Sequence, residues 1–546
     1  MQEDVQGALN TWQNLSRRRH NLILVFYSII VGILTGLVIV AYREGLDFLD
    51  ELRHTTLTNV RETASLMNIS KIVVIFIIAA IILQLLLSKF PLISGSGIPQ
   101  VKALLMKQIK FNWFYELLSK FFGGLLSIGS GLSLGREGPS IHIGAQISEG
   151  VNSLFKTKVA EKKYLISSGA SAGLAAAFNA PLSGVIFSLE ELHKFFSPLL
   201  LICTLLASIS ADFITKLFLG YDLVFDFDTK LPEQLPTGIY LLSLIVFGII
   251  IGFGGKLFTD GILFFQKLYK KTKLNSYVKA VVAILISLCV GLFFSEVGGG
   301  GHGLLQNIAH RSTPMKVLFI LLIAKFIFTL FSYSTGFPGG IFLPMLVVGG
   351  LIGKIYGMVL MDIFDLKEAY AVHFMILGMA GYLTAVVRAP ITGIVLILEM
   401  TGRFDHLFSL TLVATLAYVL TEFINLDPIY DILYRNMISG IFSSKKIPSE
   451  KISPEKTPEK PLCKSSKITI LIPVIADSFL DGKHVFEISW PENCLLVGVR
   501  RDIVEIIPRG ITEIRSGDFL IVLADRTDAG IISPLLYRMG TVTMVE

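Results

Sequence analysis

The sequence predicts an all-α polytopic membrane protein built on an internal repeat of partly broken helices, with a small C-terminal soluble α/β domain. Three observations carry that expectation. Hydrophobic residues make up 53% of the 546-residue chain and charged residues only 16%, and the mean hydropathy is +0.67. Apolar runs at 22–41, 72–87, 240–253, 278–294, 317–331 and 407–421 are near or at spanning length. One pattern, Ala-Pro-x-x-Gly-x-x-x-x-Leu-Glu, occurs twice, at Ala180 to Glu190 and at Ala389 to Glu399.

Residues 1–20 read as a short polar lead. The first apolar run follows Arg17, Arg18 and Arg19 and has no small-residue cleavage site. It is therefore expected to be a retained span, with the N-terminal segment on the cytoplasmic side. Residues 21–442 form the membrane domain, and several of its apolar runs are interrupted by Gly and Pro. Such discontinuous helices are tolerated only where they are buried in protein or line a wet cavity.

Residues 443–467, rich in Lys, Glu, Pro and Ser, read as a solvated linker. Lysines after Ser444 place this part on the cytoplasmic side as well, which requires an even number of full crossings. Residues 468–546 alternate short β-rich runs (468–475, 495–500, 503–507, 519–523) with turn signals such as Asp481-Gly482 and Gly517-Asp518. The net charge of +6 reflects the positive-inside bias and gives no reason to expect nucleic acid. The cysteines, Cys203, Cys289, Cys463 and Cys494, have no metal-binding spacing. No motif calls for a cofactor or a metal.

Within the repeat, Pro181 and Pro390 lie 209 positions apart, and Leu174, Ala176, Gly184 and Glu190 match Leu383, Ala385, Gly393 and Glu399. Upstream, Pro139 and Gly144 match Pro344 and Gly349 at a separation of 205, which sets Glu137 opposite Phe342. Repeats with broken segments at matching places point to a transport site at the repeat interface.

The sharpest chemistry lies in Gly135-Arg136-Glu137-Gly138-Pro139-Ser140. A carboxylate among membrane-length apolar runs is expensive unless solvated or paired, so Glu137 is a candidate functional residue. Gly135 and Gly138 interrupt one helix and Pro139 suits the first turn of the next. A helix N-terminus there turns free N–H groups toward an anion. Similar Gly-before-Pro breaks occur in Gly95-Ser96-Gly97-Ile98-Pro99 and Gly340-Ile341-Phe342-Leu343-Pro344. Three such termini aimed at one point would suit chloride, with Ser96 and a later tyrosine as hydroxyl donors. His142 and Lys120 lie in apolar surroundings and are read as structural. An Arg136–Glu137 ion pair is disfavoured as an explanation, because adjacent residues on a helix seldom face each other.

These three motifs in order, with the Glu190-Glu191 pair, make residues 20–440 similar to the CLC family of chloride channels and proton/chloride exchangers. The resemblance implies an inverted repeat of tilted helices and a homodimer in the cell membrane, in contact with lipid, with an anion pathway in each subunit. Carried over by motif, Ser96 and Tyr430 would coordinate chloride together with the backbone amides of Ile341 and Phe342. Glu137 would be the gating glutamate and Glu191 the inner proton-transfer glutamate. Asp427, before Pro428-Ile429-Tyr430, departs from relatives that carry lysine there. Members without the inner glutamate tend to be channels and serine at position 96 suggests chloride, so the resemblance implies Cl−/H+ antiport; a passive channel of the same fold is the alternative.

The tail resembles the TrkA-C subdomain of potassium-conductance regulators. The matching stretches are Phe479-x-Asp481-Gly482-Lys483-x-Val485-x-Glu487, Leu495 to Arg501, Ile506 to Gly510 and Ile514 to Leu520. This implies a cytoplasmic regulatory module with an unidentified small ligand. Arg500 and Arg501 are either anion binders or ordinary surface charges.

Overall fold

In the computed structural model, the chain is described from residue 2 to 541 apart from 64–65, 110–111, 158, 195, 228, 230–234, 445–466, 476–477, 502–503 and 526–527. It divides into two compact units, Met1–Lys446 and Ile447–Glu546. Nearly all of the expected linker therefore lies outside the described residues.

Among the described residues, the first unit is built of helices. Among the described residues, nine helices are long and apolar enough to cross a membrane. The expected spans fall on Gln2–Thr63, Leu66–Lys89, Thr237–Lys271, Ser276–Phe293, Met315–Ser334 and Leu407–Phe423. The first of these begins in the polar lead, which is helical from Gln2 and continues unbroken into the apolar run. The spans Phe342–Phe364 and Ala369–Val387 are interior helices, 78% and 100% buried over their apolar windows. Being apolar on every face, they give little periodic signal.

The internal repeat governs how these helices pack. Glu137–Phe155 packs on Val159–Phe178, and its counterpart Phe342–Phe364 packs on Ala369–Val387. The crossings are glycine on glycine: a Cβ on Gly144 would lie 1.9 Å from the Gly169 carbonyl oxygen, and one on Gly349 would lie 2.3 Å from that of Gly378. Small residues let buried helices approach backbone to backbone.

Each crossing helix then ends in a left-handed residue, Asn179 (φ 53°) and Arg388 (φ 64°), before Ala-Pro starts the short helices Pro181–Phe187 and Pro390–Thr401. Glu190 caps the second short helix, accepting from the Ile391 and Thr392 amides and the Thr392 hydroxyl at 2.8–3.2 Å. Glu399 caps the first, accepting from the Leu182 and Ser183 amides and the Ser183 hydroxyl at 2.5–2.9 Å. The repeated glutamates thus tie the halves together reciprocally.

The second unit has a four-stranded sheet. Its strands are β1 (Lys467–Pro473), β2 (Cys494–Arg501), β3 (Val504–Ile506) and β4 (Asp518–Asp525), in the order β1-β4-β2-β3 and all antiparallel. Leu520, Val522 and Ala524 of β4 face a core that includes Ile532 and Leu536 of the helix Ala529–Thr541. The strand runs read from the sequence match these to within about two residues, because one-sided burial imposes the period-two pattern. Arg501 is held by two 2.7 Å hydrogen bonds to the buried Asp518 carboxylate. Arg500 lies over the Phe519 ring at 5.1 Å.

Candidate functional site

The three broken motifs meet. The Gly135 and Gly340 backbones exchange two hydrogen bonds of 2.7 Å. Gly95 donates to the Gly336 carbonyl and accepts from the Gly339 amide, both at 3.0 Å. The helices Ile98–Leu105, Glu137–Phe155 and Phe342–Phe364 all begin at this knot. Their first amides have no partner within their own helices, so three partial positive charges gather in one small volume.

Glu137 is fully buried there. A Cβ on Gly135 would meet its Oε2 at 2.1 Å and Pro344 Cδ at 3.2 Å, so the carboxylate folds back over two helix starts. Among the described residues its oxygens make no hydrogen bond of ordinary geometry; the donors turned toward it are the amides of Arg136, Glu137 and Leu343. Arg136 is engaged elsewhere, 3.7 Å from Asp47.

Ser96 is buried, and its hydroxyl accepts from the Ile98 amide at 3.3 Å. Gly138 lies directly on it, since a Cβ there would meet Ser96 Cβ and carbonyl oxygen at 2.8 Å. Ile341 and Phe342 are buried at the start of their helix. The Phe342 ring is held by Phe178 and Phe187, with centroids at 5.8 and 6.3 Å. Tyr430 is buried, and its hydroxyl makes no hydrogen bond among the described residues. It lies within electrostatic range of Glu137, Glu191 and Tyr333. Tyr333, whose hydroxyl would stand 3.5 Å from a Cβ on Gly95 and which lines a cavity together with Ser96, is a neighbour of the knot that the motifs did not reveal.

Two cavities flank the knot. One, of about 670 Å³, is lined by Arg43, Arg53, Arg136, Gly300 and Leu343 among others. The other, of about 1130 Å³, is lined by Ser96, Gln100, Lys107, Tyr269 and Tyr333 among others. Arg136 faces the first, and Gly138 packs on Ser96, which faces the second.

The cavities are related by the repeat. Gly95 and Gly97 (φ 63° and 97°) match Gly299 and Gly301 (φ 61° and 93°), a left-handed pairing that admits glycine at low cost. Buried Lys120 donates to the Ile93 and Gly95 carbonyls at 2.7 Å. Lys325, 205 positions on, donates to those of Val297 and Gly299 at 2.9 and 2.8 Å. Lys120 thus ties its helix to the Gly95 loop. The separation of 205 was the signal that pairs it with Lys325. His142 sits against Gly97, where a Cβ would meet its ring within 2.8 Å, and its Nε2 lies 3.2 Å from Gln146.

Glu191 is placed apart from the knot. The chain widens into a π-helical turn at Ser188–His193, a bulge often found at functional positions. The turn aims its two adjacent carboxylates in different directions, with Glu190 toward the Pro390 helix and Glu191 toward Lys102, 2.6 Å away. Asp427, the residue that departs from the motif, pairs at the surface with Arg435 at 2.5 Å.

Comparison with known proteins agrees with this geometry. Residues 75–422, more than half of the chain, match the family described as voltage gated chloride channel, and residues 470–531 match the TrkA-C domain. The structure is similar to that of a slow cyanobacterial Cl−/H+ antiporter, 27% identical, with a TM-score of 0.72 over 76% of this chain and 98% of that one. It is also similar to a eukaryotic CLC transporter, at 23% identity and a TM-score of 0.63 over 77% and 74% of the two chains. A CLC-type fluoride/proton antiporter matches at 24% identity and a TM-score of 0.61 over 73% and 95%. The last two likenesses are of fold alone. With the broken-helix knot, the repeat and the family match in agreement, the chain belongs to the voltage-gated chloride channel family and carries a TrkA-C domain after its membrane unit.

Proposed function

We propose that this protein exchanges chloride for protons across the membrane, with Glu137 as the gate shared by both ions. The observation that carries this reading is the Glu137 carboxylate, fully buried over two helix starts. Ionised, it occupies the amide cradle as an anion would. Protonated, it loses its attraction to the cradle, swings away and leaves the place to chloride. One group thus binds either a proton or the anion's place, which is the elementary requirement for exchange.

Chloride is held between the Ser96 and Tyr430 hydroxyls and the amides of Ile341 and Phe342. Glu191 accepts the proton from the inner side, away from the anion's exit. The protein works as a homodimer in the cell membrane with both termini cytoplasmic, and the tail regulates it through a small ligand. The test is proton movement into liposomes under an outward chloride gradient with the full-length protein. Exchange predicts uphill proton uptake; chloride flux with no proton movement would make the protein a passive channel.

A further inference from the structure

Lys102 is a buried cation that the exchange reading leaves without a task. It lies on the helix Ile98–Leu105, which starts directly after Ser96 and Gly97. Its side chain is 3% exposed, and Nζ stands 2.6 Å from Glu191 Oε1 and 2.6 Å from Asp431 Oδ1. Asp431 immediately follows Tyr430, and its other oxygen takes Lys194 at 2.5 Å. One ammonium therefore joins the helix that follows Ser96, the π turn that carries Glu191 and the helix that carries Tyr430. Taking two charges out of water is costly, and removing one partner of such a pair leaves an uncompensated charge. A cation placed only to fill space here would be a poor solution compared with an apolar side chain.

We propose that Lys102 is a positioning residue that couples the chloride site to the proton branch by holding Glu191 for proton uptake. The proposal rests on the exchange reading. An ammonium at hydrogen-bond distance favours the ionised form of its carboxylate partner. A proton that reaches Glu191 from the inner water is thus opposed by Lys102, and it moves on toward Glu137 rather than staying. When Glu191 is neutral, Lys102 is left with Asp431, and the balance of forces on the helix that follows Ser96 and on the Tyr430 helix changes. The step moves one proton and breaks no other bond.

The charged groups facing Glu191 are Lys102, Lys194 and Asp431. On the same turn, Glu190 is taken up by Thr392 and His193 by Ser167. Lys163, on the neighbouring helix Val159–Phe178, acts on His193.

The test is paired chloride and proton flux in liposomes holding full-length wild type, Lys102→Met or Lys102→Arg, across a range of pH. The expected result in Lys102→Met is a proton-to-chloride ratio lower by about tenfold, the order of one charged hydrogen bond. Its proton flux shifts toward higher pH, because Glu191 has lost its cation, and Lys102→Arg restores both readings. An unchanged ratio and pH profile in Lys102→Met would overturn this proposal alone. So would a proportionate loss of both fluxes that Lys102→Arg does not restore, since that marks a purely structural cation. Chloride flux without protons in wild type would overturn the exchange reading and this proposal with it.

Discussion

At the scale of single residues, the site depends on how closely the broken loops approach. Gly138 is helical, so an alanine there meets no backbone penalty, yet its Cβ would stand 2.8 Å from Ser96. Gly138→Ala is therefore expected to push the Ser96 loop off the site and weaken chloride binding about tenfold, roughly 1.4 kcal/mol, as isothermal titration would measure. The three helix breaks that meet at the knot were legible in the sequence because a break needs Gly and Pro, and both mark the chain visibly. Tyr333 and Lys102 were not. Each reaches the site from an ordinary helical position, Lys102 across 89 residues to Glu191, and local pattern carries no trace of such contacts. A lone lysine within an eight-residue apolar helix was the available signal.

At the scale of elements, the reciprocal caps explain why the repeated pattern ends in glutamate. Glu190 and Glu399 each satisfy the first amides of the other half's short helix. Replacing either by alanine should cost about 1–2 kcal/mol, the worth of a helix cap with its charge, read as a lower unfolding temperature in detergent. Gly349→Ala should cost more, because backbone and Tyr382 Cβ lie within 2.5 Å of the new atom. The repeat itself was readable from spacing, but the purpose of its glutamates was not, since capping joins residues about two hundred positions apart. In the tail, the Glu487 carboxyl accepts from the His484 amide at 2.8 Å, which holds it below the usual carboxylate range. A depressed folded value means that the cap is fully present above the unfolded value and fades as pH falls through the folded one. Protection of the His484 amide, its exchange measured against that of a free amide at the same pH, should therefore fall on acidification in wild type and lose that dependence in Glu487→Gln.

At the scale of the whole molecule, each unit closes a hydrophobic core of its own. A chain ending at Ser444 should accordingly still fold and move chloride in liposomes, while any dependence on a small ligand disappears with the tail. Membrane class, repeat and tail were legible because composition and period survive averaging over many residues. The interior helices were harder to place, because burial on all sides erases the period that marks a surface helix. The central claim is that one carboxylate gates both ions, and the most direct test is chloride and proton flux of wild type and Glu137→Gln in matched liposomes. The account predicts that wild type drives protons uphill while the variant passes chloride with no proton movement and no dependence on pH. Uphill proton transport persisting in Glu137→Gln would contradict it.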